Sequence, residues 1–265
     1  MQERHTDRKK YFNEQVITTE KYVIPFLNKF IKIDSNISVL EIGCGEGGNL
    51  KPFLNLGCFV TGVDLSEGKI KNGMLYYEQH PNNNNLQLLS EDIYNSKNLG
   101  KYDLIIMHDV IEHIHDQNRF MNYVKIFLKA NGKIFLAFPP WFNPFGGHQQ
   151  ICESSILSML PYYHILPNYL YKSILKIFGE SNAKIENLLE VKSTGISIER
   201  FEKILKTNNY NIDKKSNYFI NPNYEIKFGL KPRKQIPIIS SIPFLKNFII
   251  TTAYYLISIK KINLI

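Results

Sequence analysis

The chain is 265 residues long, 44% hydrophobic and 21% charged, the balance of a folded protein with its own core, which excludes disordered and fibrous classes. A chain of this length buries roughly 70–75% of the surface its unfolded form exposes, so it needs neither disulfides nor a structural metal. Its net charge of +8 is unevenly placed: residues 226–265 hold Lys227, Lys231, Arg233, Lys234, Lys246, Lys260 and Lys261 and no acid at all. A nucleic-acid-binding surface would spread such charge over the folded domain and interleave it with aromatics, so no nucleic-acid partner is expected. Cys44, Cys58 and Cys152 are too few and too scattered for a disulfide framework or a zinc spacing. The polar start MQERHTDRKKYFNEQ lacks the apolar run of a secretory signal, and a cytoplasmic location is expected.

In chain order, residues 8–32 place Val16, Tyr22, Val23, Phe26, Leu27 and Phe30 at near-helical spacing, with Pro25 set to kink or split the segment. From Ser38 the pattern changes to short apolar runs, Val39–Ile42, Cys58–Val63, Leu86–Leu89, Leu104–Met107 and Ile134–Phe138. Between them lie the helical stretches Leu50–Leu56, Glu67–Gln79 and Gln117–Lys129. Apolar strands alternating with helices predict an α/β fold with a parallel sheet covered on both faces. The alternation stops at Pro139-Pro140, and an aromatic- and Pro-rich insertion follows to residue 196. A helix over Ile198–Lys206 then precedes Tyr210–Ile220 and Tyr224–Leu230, two runs joined by Asn221-Pro222-Asn223, which reads as an antiparallel hairpin.

The segment VLEIGCGEGG (39–48) ends a strand and opens a helix. Gly43, Gly45 and Gly47 allow a tight turn and a close ligand approach, and the helix start offers free N–H groups. Asp64 closes the next strand, where a doubly wound sheet puts a carboxylate beside ribose hydroxyls. Spacing leaves two readings, because Gly43, Gly45 and Gly48 also fit the dinucleotide fingerprint.

The run VLEIGCGEG, then VDLSEG with Asp64, SED at 90–92 and YDLIIMHDVIEHIHD at 102–116 closely resembles the class I S-adenosylmethionine-dependent methyltransferases, in particular their small-molecule O-methyltransferase-like branch. Four ordered motifs match over residues 38–140, whereas a dehydrogenase accounts for only the first two. The resemblance implies a Rossmann-like, doubly wound, seven-stranded mixed sheet with an antiparallel last strand, which the terminal hairpin matches. It implies that Glu41, Gly43, Gly45 and Gly47 line the methionine moiety, that Asp64 and Leu65 meet the ribose, and that Asp92 and the Ile93 backbone meet the adenine. His108 would lie near the sulfonium.

Methyl transfer to a hydroxyl needs alignment and a base, for which histidine is the natural candidate. His108, His113, His115 and His148 lie in or beside stretches expected at the carboxyl edge of the sheet. His113, in the Glu112-His113 pair, either ties its loop together or takes a proton. His148 sits in FPPWFNPFGGHQQ, where Trp141, Phe142 and Phe145 offer an apolar wall for the acceptor. Either His148 is a base or it caps a turn of a packed lid, and His164 reads as a core or lid residue. This insertion, with LPYYHILP (160–167), looks like that of methyltransferases of polysaccharide or glycolipid assembly. Asp109, Glu112 and Asp116 read as solvated helix-surface acids, and no metal is expected.

The run 236–259 is strongly apolar, but Pro237, Pro243, Lys246 and Asn247 argue against a spanning helix. Phe244, Leu245, Phe248, Ile249, Thr252, Tyr255, Leu256 and Ile259 fall near one helical face, leaving interfacial membrane contact, or packing on the insertion or on a second subunit, as alternatives. The expected organisation is a helical cap over 1–35, a cofactor-binding core over 36–140, an acceptor insertion over 141–196, a helix and hairpin over 197–232, and a basic tail over 233–265. The expected activity is O-methylation of a sugar, glycolipid precursor or other small hydroxyl compound. N- or C-methylation of a metabolite and a non-catalytic scaffold at a membrane assembly complex are the alternatives.

Overall fold

A computed structural model describes residues 7–96 and 98–261; the first six residues of the expected cap and the last four of the expected tail lie outside the described residues. The chain opens with helix α1 (Arg8–Thr18), started by the Asp7 side chain accepting from the Lys10 N–H. A π-helical turn, Thr19–Val23, leads into α2 (Ile24–Leu27), with Pro25 in its first turn. The widened turn falls just before the proline, whose missing donor breaks regular helix hydrogen bonding.

The parallel half of the sheet consists of β1 (Ser38–Ile42), β2 (Phe59–Asp64), β3 (Leu86–Ser90), β4 (Tyr102–His108) and β5 (Leu128–Phe138). Helices α3 (Lys51–Asn55), α4 (Glu67–Tyr77) and α5 (Gln117–Tyr123) lie between them in sequence. The insertion carries α6 (Ser155–Met159), α7 (Asn168–Ile177) and α8 (Asn182–Thr194), and α9 (Ile198–Thr207) follows, N-capped by Ser197. The chain ends with β6 (Tyr210–Ile220), α10 (Asn223–Phe228), the two-residue edge β7 (Arg233–Lys234), α11 (Pro237–Ser241) and β8 (Thr252–Ile259).

The order is β3-β2-β1-β4-β5-β8-β6-β7, seven longer strands and a short eighth, with β8 antiparallel to both neighbours. Leu40, Ile105, Leu136 and Tyr255 face α5 and α9, while Val39, Leu104, Phe135 and Tyr254 face the N-terminal helices, α3 and α4. A third cluster, with Leu157, Tyr171, Leu175 and Leu188, holds the insertion together.

Two expectations for the C-terminal part fail. The run 224–230 is no strand. Backbone N–H groups of Tyr224 and Glu225 donate to Asn221 and Pro222 carbonyls, starting α10, which ends on Gly229 at φ +69°. The turn signal of Asn221-Pro222-Asn223 thus starts a helix, and Glu225 of that helix is held by Lys21 and by the Tyr22 hydroxyl of the N-terminal segment.

The antiparallel strand comes instead from the apolar tail. Residues 252–257 are buried on both faces, so β8 lies inside the sheet between β5 and β6. An apolar run this short has no period that separates a buried strand from a helix face. Leu256 is in the core, Phe248 meets Phe142 and Tyr162 of the insertion, and Phe244 is exposed. Lys246 and Asn247, which interrupt the run, serve the start of α9: Asn247 Oδ1 accepts from Ile198 N–H at 2.8 Å, and Lys246 Nζ lies 3.3 Å from Glu199. None of the described helices is long and apolar enough to cross a membrane.

Candidate active site

The strand order reverses between β1 and β4, and the carboxyl ends of the parallel strands open a crevice there, the general ligand position in such sheets. The loop after β1 runs through Gly43, Gly45 and Gly47, all at positive φ. At Gly43 a Cβ would come within 2.6 Å of Val110 Cγ2, so both conformation and space demand glycine there. Gly48, the third glycine of the dinucleotide spacing, lies against α1 instead, where a Cβ would meet the Phe12 carbonyl at 2.6 Å. Glu46 of the same loop is fully buried and takes a two-pronged ion pair from Arg8, which ties α1 to it.

Asp64 ends β2 and braces the loop, its Oδ2 accepting from Gly45 N–H at 2.8 Å and its Oδ1 from Ser66 N–H at 2.9 Å. Each oxygen keeps a lone pair for a further donor. Leu65, the residue after it, is a large apolar side chain 77% exposed. Asp92 is exposed and accepts from Tyr94 N–H, while Ile93 is buried and its carbonyl accepts from the Tyr123 hydroxyl. Glu41 lies beneath the loop, 1% exposed, with Oε1 accepting from Asn49 Nδ2 at 2.7 Å and Oε2 unpartnered. Burial pushes its carboxyl up to about 8, the Asn49 hydrogen bond opposing and Asp64 adding to the shift.

A cleft beside His108 and Asp109 is roofed by α1 through Tyr11, Glu14, Gln15 and Thr18 and flanked by Asn223 and Lys227 of α10. Glu14 Oε2, Gln15 Oε1 and Asn223 Oδ1 are buried acceptors without partners. Acceptor oxygens left in this way suit a ligand that brings N–H donors or positive charge. Burial lowers the His108 pKa, with nearby Asp109 opposing. The signal for α10 and Asn223 was hidden, because their part of the sequence reads as strand.

Two of the histidines expected on the acceptor side, His113 and His148, converge. His113 ends the short helical turn Ile111–His113, and His148 sits at φ +55° after Gly146-Gly147, with ring centroids 4.9 Å apart. A Cβ on Gly147 would lie 2.3 Å from that of His164, so the glycine pair lets this turn pack tightly on the insertion. Burial lowers both pKa values, that of His148 to about 4, with His113 contributing next. Glu112 is 4% exposed, not solvated as expected, and neither carboxylate oxygen has a partner. Burial, then the Asp109 charge, holds its carboxyl well above the ordinary range. Asp116 caps α5 through Arg119 N–H, and Asp109 sits at φ +55° after β4.

His164 is fully buried, with Nε2 donating to the Trp141 carbonyl at 2.8 Å and Nδ1 accepting from Gln149 Nε2 at 3.3 Å. Trp141 packs against His164 and Gly195, and Phe142 packs on Phe248 with the rings tilted, so only Phe145 of the expected aromatic wall is substantially exposed. His115 is exposed beside Glu190.

A reversed-order parallel sheet with a glycine loop after its first strand, an acid ending the second and a roofed cleft beyond the fourth defines a nucleoside-cofactor-binding α/β protein. The chain belongs to the methyltransferase domain family, whose model matches residues 12–156. Membership decides the two readings of the glycine loop in favour of a methyltransferase. The chain is 29% identical over 130 residues to a ubiquinone biosynthesis O-methyltransferase of Pelagibacter ubique, covering 49% of this chain and 51% of that protein. It is 34% identical over 103 residues to the enzyme of that name from Bartonella tribocorum, covering 38% and 41%. The match thus spans about half or less of the length of these curated relatives. Among solved structures, a Galdieria sulphuraria protein proposed to be a sarcosine dimethylglycine methyltransferase superposes with a TM-score of 0.59 at 14% identity over 91% of this chain and 85% of that one. The magnesium protoporphyrin IX methyltransferase of Synechocystis, solved with bound S-adenosylhomocysteine, gives 0.54 at 15% identity over 91% and 82%, a likeness of fold.

Proposed function

We propose that the chain transfers the methyl group of S-adenosylmethionine to a hydroxyl of a small acceptor. The cofactor's methionine part lies against the glycine loop above Glu41, its ribose on Asp64 and Leu65, and its adenine by Asp92 and Ile93. His108 lies on the sulfonium side. The observation that carries the acceptor half is the meeting of His113 and His148 beside the loop that follows β4. The two imidazoles there, His113 exposed and His148 half-buried, each offer a ring nitrogen that can take a hydroxyl proton. The oxygen attacks the methyl carbon as the carbon–sulfur bond breaks, the positive sulfur becomes a neutral thioether, and the hydroxyl proton leaves through the imidazole side.

The acceptor we favour is a hydroxyl on a ring, of a sugar, a glycolipid precursor or a phenol. The glycan choice rests on the insertion's sequence, and the phenol on the O-methyltransferases of ubiquinone biosynthesis that the chain resembles. Peripheral membrane contact is assigned to the segment around α11, where Ile236, Ile238, Phe244 and Leu245 are exposed next to Arg233 and Lys234. Incubation with radiolabelled S-adenosylmethionine and a panel of sugar and phenol acceptors tests the reaction. Label appearing as a base-stable ether supports it, and label found only on nitrogen or carbon products removes it.

A further inference from the structure

The Glu112 carboxylate, one nitrogen of His113 and one of His148 lie within 4.8 Å of one another, on a turn after β4 and a turn of the insertion that meet only in the folded chain. Glu112 is buried and neither of its oxygens has a hydrogen-bond partner. A carboxylic acid placed there to orient an imidazole would bond to it directly. Three donors within 4.8 Å of one another are instead close to the arrangement of ligands about an ion, which at about 2.0–2.2 Å from each would draw them to about 3–4 Å from one another.

We propose that Glu112, His113 and His148 bind one divalent cation of the borderline class, Zn²⁺ or a neighbouring first-row ion. Two imidazoles and one carboxylate suit such an ion, whereas Mg²⁺ prefers oxygen ligands throughout. Its charge compensates the otherwise unpaired Glu112 carboxylate, and three protein ligands leave a position open, as in catalytic rather than structural sites. This inference rests on the reading of the His113 and His148 corner as the acceptor side and deepens it. With the ion bound, an acceptor hydroxyl on the open position would lose its proton to solvent because the ion stabilises the alkoxide, the imidazoles serving as its ligands; without the ion they take the proton themselves.

Calorimetry with Zn²⁺ on chelator-treated full-length protein tests this apart from turnover, with Co²⁺ absorption as a report on ligand type. One equivalent of Zn²⁺ and Co²⁺ bands without thiolate charge transfer are expected. Glu112→Gln and His148→Ala should each weaken Zn²⁺ binding at least tenfold, while exposed His115→Ala leaves it unchanged. Because Glu112 is buried, each variant is also scored by thermal melting and by binding of S-adenosylhomocysteine, and His148→Ala alone decides if Glu112→Gln does not fold. Absence of stoichiometric Zn²⁺ binding, thiolate bands, or unchanged binding in a folded His148→Ala would overturn the site. Stoichiometric binding in a protein that methylates no hydroxyl keeps the site and removes the acceptor reading instead.

Discussion

Asn49 donates its side-chain amide to one oxygen of Glu41 at 2.7 Å and leaves the other oxygen of that buried carboxylate without a partner. The Glu41 pKa of about 8 lies above the ordinary carboxylate value, so the folded apo protein binds a proton that the unfolded chain releases near pH 4.5. Stability from this group is therefore present at low pH and lost as pH rises from about 4.5 through about 8, by at most a few kcal/mol. Glu41→Gln should flatten the fall in melting temperature over that window and weaken binding of the cationic cofactor. Melting curves at several pH values check the first, calorimetry the second. A pH slope identical to wild type rejects the assignment.

Asp64 serves both the loop and the proposed ribose. Asp64→Ala should weaken S-adenosylmethionine binding by roughly 1.5–3 kcal/mol, through loss of charged hydrogen bonds. The wild-type protein should bind S-adenosylmethionine and S-adenosylhomocysteine but not NAD, measured by calorimetry with each ligand. Tight NAD binding without response to the other two would contradict the family's cofactor choice.

His148 and His164 should part company on substitution. His148→Ala should lower turnover on the order of 10²–10⁴-fold with cofactor affinity nearly unchanged. His164→Ala should destabilise the insertion by about 2–4 kcal/mol, since it leaves a cavity and strips the Trp141 carbonyl of its donor. Steady-state kinetics and denaturant titration separate the two. Equal stability losses would make both histidines structural.

At Gly43 two constraints act together, φ +72° and the 2.6 Å approach of Val110 Cγ2 to the place of a Cβ. Gly43→Ala should cost about 1–3 kcal/mol in stability. Adding Val110→Ala relieves the clash and not the backbone, so the double variant should recover part of the loss attributed to crowding. A double variant no better than the sum of the two singles would place the whole cost in the backbone.

The segment 236–245 and strand β8 should be separable. Deleting residues 233–265 removes a central strand and should prevent folding, so vesicle binding is measured instead on Ile238→Ser with Phe244→Ser. That variant should melt like wild type, yet bind anionic vesicles less; wild-type binding should fall with salt as the Lys and Arg contribution is screened. Wild-type binding that is absent on anionic vesicles at low salt removes the membrane contact.

The parallel strands were legible in the sequence because Leu104–Met107 and Ile134–Phe138 are apolar on both faces, Val39–Ile42 is broken only by Glu41, and helical stretches separate them, a local pattern with a local cause. The glycine loop and Asp64 were legible for the same reason: positive φ at Gly43, Gly45 and Gly47 is a demand on residue type at fixed spacing. Tertiary structure decided what became of the two apolar runs after β6. Residues 224–228 fold as helix because the Asn221 and Pro222 carbonyls start it and the N-terminal segment holds Glu225, and residues 252–259 become strand because β5 and β6 each offer an open edge. It also buried Glu112 and brought His148 to His113. Neither hydropathy nor spacing encodes a meeting between two turns whose positions are set by long-range packing of the insertion on the sheet.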